Sequence, residues 1–94
     1  MSHEAMKMTA NQYKKGKYDK AILALGSCEC HGPHLSQGTD TFISYKLSCK
    51  IADQVEGLLV LAPVTVGCSE HYSAFPFTIS LSFDTMIRVI QDIL

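Results

Sequence analysis

Tryptophan is absent, there are only three prolines, and charged residues make up just 18% of the chain, with a net charge of −1. Each scarcity excludes something. Few and balanced charges at 47% hydrophobic content exclude a disordered tail. The same balance offers no basic surface for a phosphate backbone, so no nucleic-acid partner is expected. No apolar stretch approaches the roughly 20 residues that span a bilayer. The longest, Leu58–Val66, contains Pro63 and Thr65, so no membrane partner is expected either. The first 20 residues carry five lysines against Glu4 and Asp19 and no apolar signal core. The expected location is therefore cytoplasmic, with Cys28, Cys30, Cys49 and Cys68 as reduced thiols. Nothing repeats, and 94 residues leave room for one domain.

What is present reads as strand, helix, strand, helix. Residues 1–20 form a polar lead-in helix or loop, whose Lys14, Lys15, Lys17 and Lys20 read as a solvated face. Ala21–Leu25 is a short apolar run stopped by Gly26, which predicts a strand buried on both faces. Thr41–Glu56 places Ile43, Leu47, Ile51 and Val55 at i+4 steps beside Phe42 and Ala52, which predicts an amphipathic helix. Thr39 or Asp40 can cap its start, Gly57 ends it, and Cys49 reads as a small core residue. Leu58–Val66 predicts a second strand whose central pairing ends near Pro63. Ser82 caps a last helix carrying Met86, Val89, Ile90 and Ile93. That order implies an α/β fold with parallel strands joined by a crossover. Ligands in such sheets gather where loops leave the carboxyl ends of the strands.

One of those loops is rich in chemistry. Gly26–Asp40, GSCECHGPHLSQGTD, holds Glu29, His31, His34 and Asp40. This mixed oxygen and nitrogen set suits zinc, manganese, iron(II) or cobalt better than calcium or magnesium. Glu29 and His31, two apart, project the same way from an extended segment. Asp40, at the helix start, can offer one oxygen to each of two ions. Gly32, Pro33 and Gly38 supply turns that bring Asp40 back toward Glu29 and His31. Other readings stand beside this one: Asp40 as a helix N-cap, the histidines as solvated loop groups, or Cys28, Cys30, His31 and His34 as a compact zinc knuckle.

The same loop resembles the creatininase (creatinine amidohydrolase) family signature, G-S-x-E-Q-H-G-P-H-L-P-x-x-T-D. AILALGS resembles that family's first strand, LVLAPVTVGCSEH its second, and GCSEHYSAFPFTISLS its S-x-x-H…F-P-G-T-I-S-L segment, together covering residues 8 to 94. The resemblance implies a three-layer αβα fold with a mainly parallel sheet, of which residues 21–94 form the first βαβα portion. It implies a metal-dependent hydrolase of non-peptide C–N bonds, including cyclic amides and formamides. One archaeal branch deformylates a formamidopyrimidine. Carried over by position, Glu29 binds one divalent ion (zinc, iron or manganese), His31 binds the other, and Asp40 bridges them. Two-metal activation of water, with polarisation of the amide carbonyl, is the implied chemistry. His71 is the candidate substrate-binding residue, and a homo-oligomer acting on a small-molecule amide is the implied assembly and partner.

Several positions depart from the pattern. Cys30 stands for the usual Gln between two implied ligands, and Ser36 for a usual Pro. Tyr72 stands where some relatives carry a second His, and Ala74 where Gly is common. Phe77 replaces the Gly of F-P-G-T; if that glycine supplies a positive φ or a close approach to substrate, the pocket wall changes. The resemblance also implies a further half of the fold that brings another His and Glu to the metals, which no segment here matches. The alternative function is therefore a truncated, non-catalytic chain that binds metal or pairs with other subunits.

Overall fold

The structure, a computed structural model, describes residues 3–70, 74, 75 and 77–94. After a single 3-10 turn at Ala5–Lys7, helix α1 spans Ala10–Gly16. A reciprocal capping box fixes the start of α1: Gln12 N donates to Thr9 Oγ1 (3.2 Å) and Thr9 N to Gln12 Oε1 (2.9 Å). Strand β1 is Lys20–Ile22, helix α2 is Thr39–Ala52, strand β2 is Leu58–Val60, and helix α3 is Phe83–Ile93. The two strands pair in parallel, with Lys20, Ala21 and Ile22 opposite Leu58, Leu59 and Val60. Pairing lapses around Pro63 and resumes where Leu25 bridges Val64.

β2 is the buried element. All three of its residues are buried, with Val60 fully so. β1 flanks one of its edges, residues 3 and 4 lie on the other through Val60 N to His3 O (2.9 Å), and α2 covers a face. β1 is not the doubly buried strand that its apolar run predicts. Lys20 and Ala21 are exposed, because β1 is the outer strand of the two-stranded sheet.

α2 differs more from expectation. It starts at Thr39 and stops at Ala52, with Gly38 rather than Thr39 or Asp40 at the N-cap. Gly57, at φ 77°, lies beyond the helix and turns the chain into β2 while its carbonyl accepts the Asp19 and Lys20 amides. The face on the sheet is the small one: Thr41, Ser48 and Ala52 are buried, with Tyr45 and Cys49 packed beside Ala52, Leu58 and Val60. The ridge of Ile43, Leu47, Ile51 and Val55, with Phe42, faces away and stays 37–67% exposed. The reason is close approach. A Cβ on Gly26 would collide with the Thr41 side chain and come 2.5 Å from its Cα, so the helix start lies against the end of the first strand segment. At that closest point, beside Gly26, only a small residue such as Thr41 fits.

Ser82 caps α3 as expected, its Oγ accepting the Thr85 amide (3.3 Å). No residue of α3 is buried, although Phe83, Met86, Ile87, Ile90 and Ile93 share one face. The Cα radius of gyration is 15.1 Å, against about 12 Å for a compact domain of this length. No helix among the described residues is long and apolar enough to cross a membrane.

Candidate metal centre

The loops after the two strand segments meet at the carboxyl end of the sheet. The first leaves at Gly26 and folds back on itself. His31 pairs with Leu35 in an antiparallel bridge, Gly32 takes φ 79° at the tip, and Glu29 N donates to Gln37 O (3.1 Å). This return delivers the chain to Gly38 and the first turn of α2, where Asp40 sits. The second loop runs back alongside the first: Ile79 N donates to Cys28 O (2.8 Å) and Cys30 N to Thr78 Oγ1 (3.1 Å).

Three side chains converge there. One ligand atom each from Glu29, His31 and Asp40 lie within 4.8 Å of one another. His31 Nε2 is 3.4 Å from Asp40 Oδ2 and 3.9 Å from Glu29 Oε1. Asp40 Oδ2 also accepts a hydrogen bond from Ser27 Oγ (3.0 Å). Ser27 is held in turn, since its carbonyl accepts Thr41 Oγ1 (3.1 Å). Asp40 thus faces the imidazole from the first turn of α2, whose N-cap is Gly38. Sequence reading gave Ser27 no role; its place two residues before Glu29 was visible, but its torsion toward Asp40 was not.

The donor set fits a divalent cation. His31 Nε2 is buried and has no hydrogen-bond partner. A buried polar nitrogen left unpaired is costly, and an ion between the three donors removes that cost. Ligand bonds of about 2.0–2.2 Å put neighbouring donor atoms roughly 3–3.5 Å apart, close to the separation of His31 and Asp40. Two hard carboxylates and one borderline imidazole together suit zinc, manganese or iron.

The remaining candidates fall elsewhere. His34 is exposed on the turn. Cys28 and Cys30 are half-buried free thiols, and among the described residues neither joins the converging group, so the zinc-knuckle reading finds no geometry. His71, the expected substrate-binding residue, lies outside the described residues. A cleft of about 520 Å³ opens on the cluster, with Ser27, Glu29, Asp40, Ser69, Phe83 and Met86 in its wall. A second recess, about 320 Å³, adjoins His31 between Cys30, Gly32 and Phe75.

Phe77 answers the question its substitution poses. It holds φ 61°, in the left-handed region, and the residue is 85% exposed. The position does require the conformation glycine adopts freely, and a phenylalanine sustains it at about 1–2 kcal/mol.

Comparison with known proteins gives a consistent answer. The family model described as creatinine amidohydrolase (Creatininase) matches residues 5–94. A mycofactocin precursor peptide peptidase of Mycolicibacterium smegmatis is 34% identical over 65 residues, covering 64% of this chain and 26% of its own. Its counterpart in Mycobacterium ulcerans is 32% identical over 73 residues, covering 69% and 29%. Among solved structures, a creatininase mutant complexed with creatine superposes with a TM-score of 0.88 at 26% identity, covering 99% of this chain and 38% of that one. A manganese creatininase gives 0.86 at 25% identity, and a creatininase mutant of Zn-Zn type gives 0.85 at 25%; each comparison covers 99% of this chain and 39% of the other. The chain thus spans under a third of those curated relatives and about two fifths of those creatininases.

Proposed function

This chain belongs to the creatininase family, and from that premise we propose that it carries the metal-holding part of a divalent-metal-dependent amidohydrolase. Glu29, His31 and Asp40 are the ligands, and the observation that carries the reading is the buried, unpartnered Nε2 of His31 facing two carboxylates. The reading extends to two ions of zinc, iron or manganese, which Glu29, His31 and Asp40 would hold between them. Support for this comes from the zinc-zinc and manganese forms of the similar creatininases.

When bound, such ions supply a water that is nucleophilic near neutral pH and a Lewis acid for the amide carbonyl. The chain's own residues prepare the place for that chemistry. Glu29, buried against the loop, and Asp40, open to the cleft, place two negative charges where a dication gains most from them. His31 contributes a neutral nitrogen lone pair without adding charge. Ser27 fixes the torsion of the Asp40 carboxylate. Phe83 and Met86 give the cleft an apolar side that limits water around a bound amide.

The net reaction is hydrolysis of a C–N bond, in which an amide and water give a carboxylate and an ammonium, the water's second proton passing to the leaving nitrogen. A cyclic amide or formamide is the substrate class that the motif resemblance favours, in a cytoplasmic homo-oligomer. The curated relatives' names point to a peptide instead. A second reading, a non-catalytic metal-binding chain that pairs with other subunits, is favoured by the exposed ridge of α2 and the uncovered face of α3. The metal reading is tested by loading the chain with zinc or manganese, removing excess ion and measuring bound metal by atomic emission. Asp40→Asn should lose most of the bound metal; an unchanged content would refute the role given to Asp40.

A further inference from the structure

From the recess beside His31 we infer that the amide acted on carries a bulky, uncharged apolar group next to its scissile bond, and that Phe75 is the residue that selects it. This inference rests on the metal reading above. The recess, about 320 Å³, is bounded by Cys30, His31, Gly32 and Phe75, with no acid and no lysine among the described residues of its wall. Its volume suits a phenyl or branched aliphatic group. His31 belongs to this wall and to the metal cluster alike, so the recess adjoins the cluster across one imidazole ring.

The segment bearing Phe75 is tied to the ligand loop. Cys30 N donates to Thr78 Oγ1 and Ile79 N to Cys28 O, one bond on either side of Glu29. Thr78 N closes back on the Phe75 carbonyl (3.4 Å), and within that turn Phe77 keeps its strained left-handed backbone and is exposed. The turn that carries Phe75 thus holds a strained residue two positions from the recess wall. Small, wholly polar amides gain nothing from such a wall.

The probes are acetohydroxamic acid and phenylacetohydroxamic acid, which share a metal-binding head and differ in one ring. Their affinities for the zinc-loaded full chain are read by isothermal titration, after bound zinc has been measured directly. Burying about half of a phenyl ring against the recess should make the phenyl probe about tenfold tighter, roughly 1.4 kcal/mol. Phe75→Ser should bring the ratio of the two affinities close to one. Phe77→Gly, which relaxes the turn that ties Phe75 to Thr78, should lower the ratio about threefold. Equal affinities in the natural chain, or a tenfold ratio that survives both substitutions, would overturn the inference and leave the metal reading standing. A chain that takes up no zinc would overturn both.

Discussion

Ser27→Ala separates the support of a ligand from the ligand itself. Ser27 is 8% exposed, and its hydroxyl donates to the same Asp40 oxygen that lies 3.4 Å from His31 Nε2. A hydrogen bond to a charged group is worth about 1.5–3 kcal/mol when buried. The Asp40 side chain is 47% exposed, so the low end applies and water recovers part of the loss. About 1.4 kcal/mol is tenfold in affinity, so Ser27→Ala should weaken zinc binding roughly tenfold, the lower bound for groups that orient metal ligands. A competition titration against a chromophoric chelator reads the affinity, and far-ultraviolet circular dichroism checks that α2 is intact. A merely structural role would lower the unfolding midpoint and leave the affinity of the folded fraction alone. Unchanged affinity in a folded Ser27→Ala chain would refute the claim that this hydroxyl holds Asp40 for the ion.

Gly26→Ala forces a methyl group into Thr41 and should destabilise the chain by roughly 1–3 kcal/mol; urea unfolding with an unchanged midpoint would show that the strand end and α2 do not meet so closely. Cys28→Ser with Cys30→Ser should retain bound zinc, since neither thiol reaches the cluster; loss of zinc would restore the zinc-knuckle reading. Burial, followed by the hydrogen bond from the Tyr45 hydroxyl to Glu4 Oε1 (2.7 Å) and the charge of Glu4, pushes the Tyr45 phenol well above its ordinary value. Because the folded value is the higher one, its contribution to stability is full below about pH 10 and is lost as pH rises beyond it. Unfolding midpoints should fall above pH 10, and Tyr45→Phe should flatten that limb; identical alkaline profiles would exclude Tyr45 as its source.

The candidate site was legible because its three candidate ligands lie within twelve residues of one loop. Contiguity limits how far apart Glu29, His31 and Asp40 can be, and the glycines at 32 and 38 mark where the chain returns. Contacts between loops were not legible. Thr78 reaches Cys30 across 48 positions, and Ser27 reaches Asp40 through a side-chain torsion that no spacing encodes. Helix α2 shows how a correct periodicity points to the wrong neighbour. Ile43, Leu47 and Ile51 do share one face, but hydrophobicity marks the face that gains most from burial, whereas Gly26 decides which face can come close. Thr41 takes the closest place by being small, with Ser48 and Ala52 following on the same face.

This division of α2 into a small face and a large apolar face bears on which properties the chain can hold alone. The cluster depends on short-range restraints: the Gly26–Thr41 contact, the turn at Gly32, and the Ser27 hydrogen bond. None of them involves the ridge of α2, and all lie within residues 26–41. The cleft is another matter. Its far wall is α3, whose apolar face is uncovered and which carries no buried residue to pin it. Covering that face and the α2 ridge should therefore change the shape of the cleft and its access to water much more than it changes the ligand positions. The proposed metal affinity and the proposed turnover are thus separable: the first rests on one strand end, one loop and one helix start, the second on a cleft whose wall includes α3.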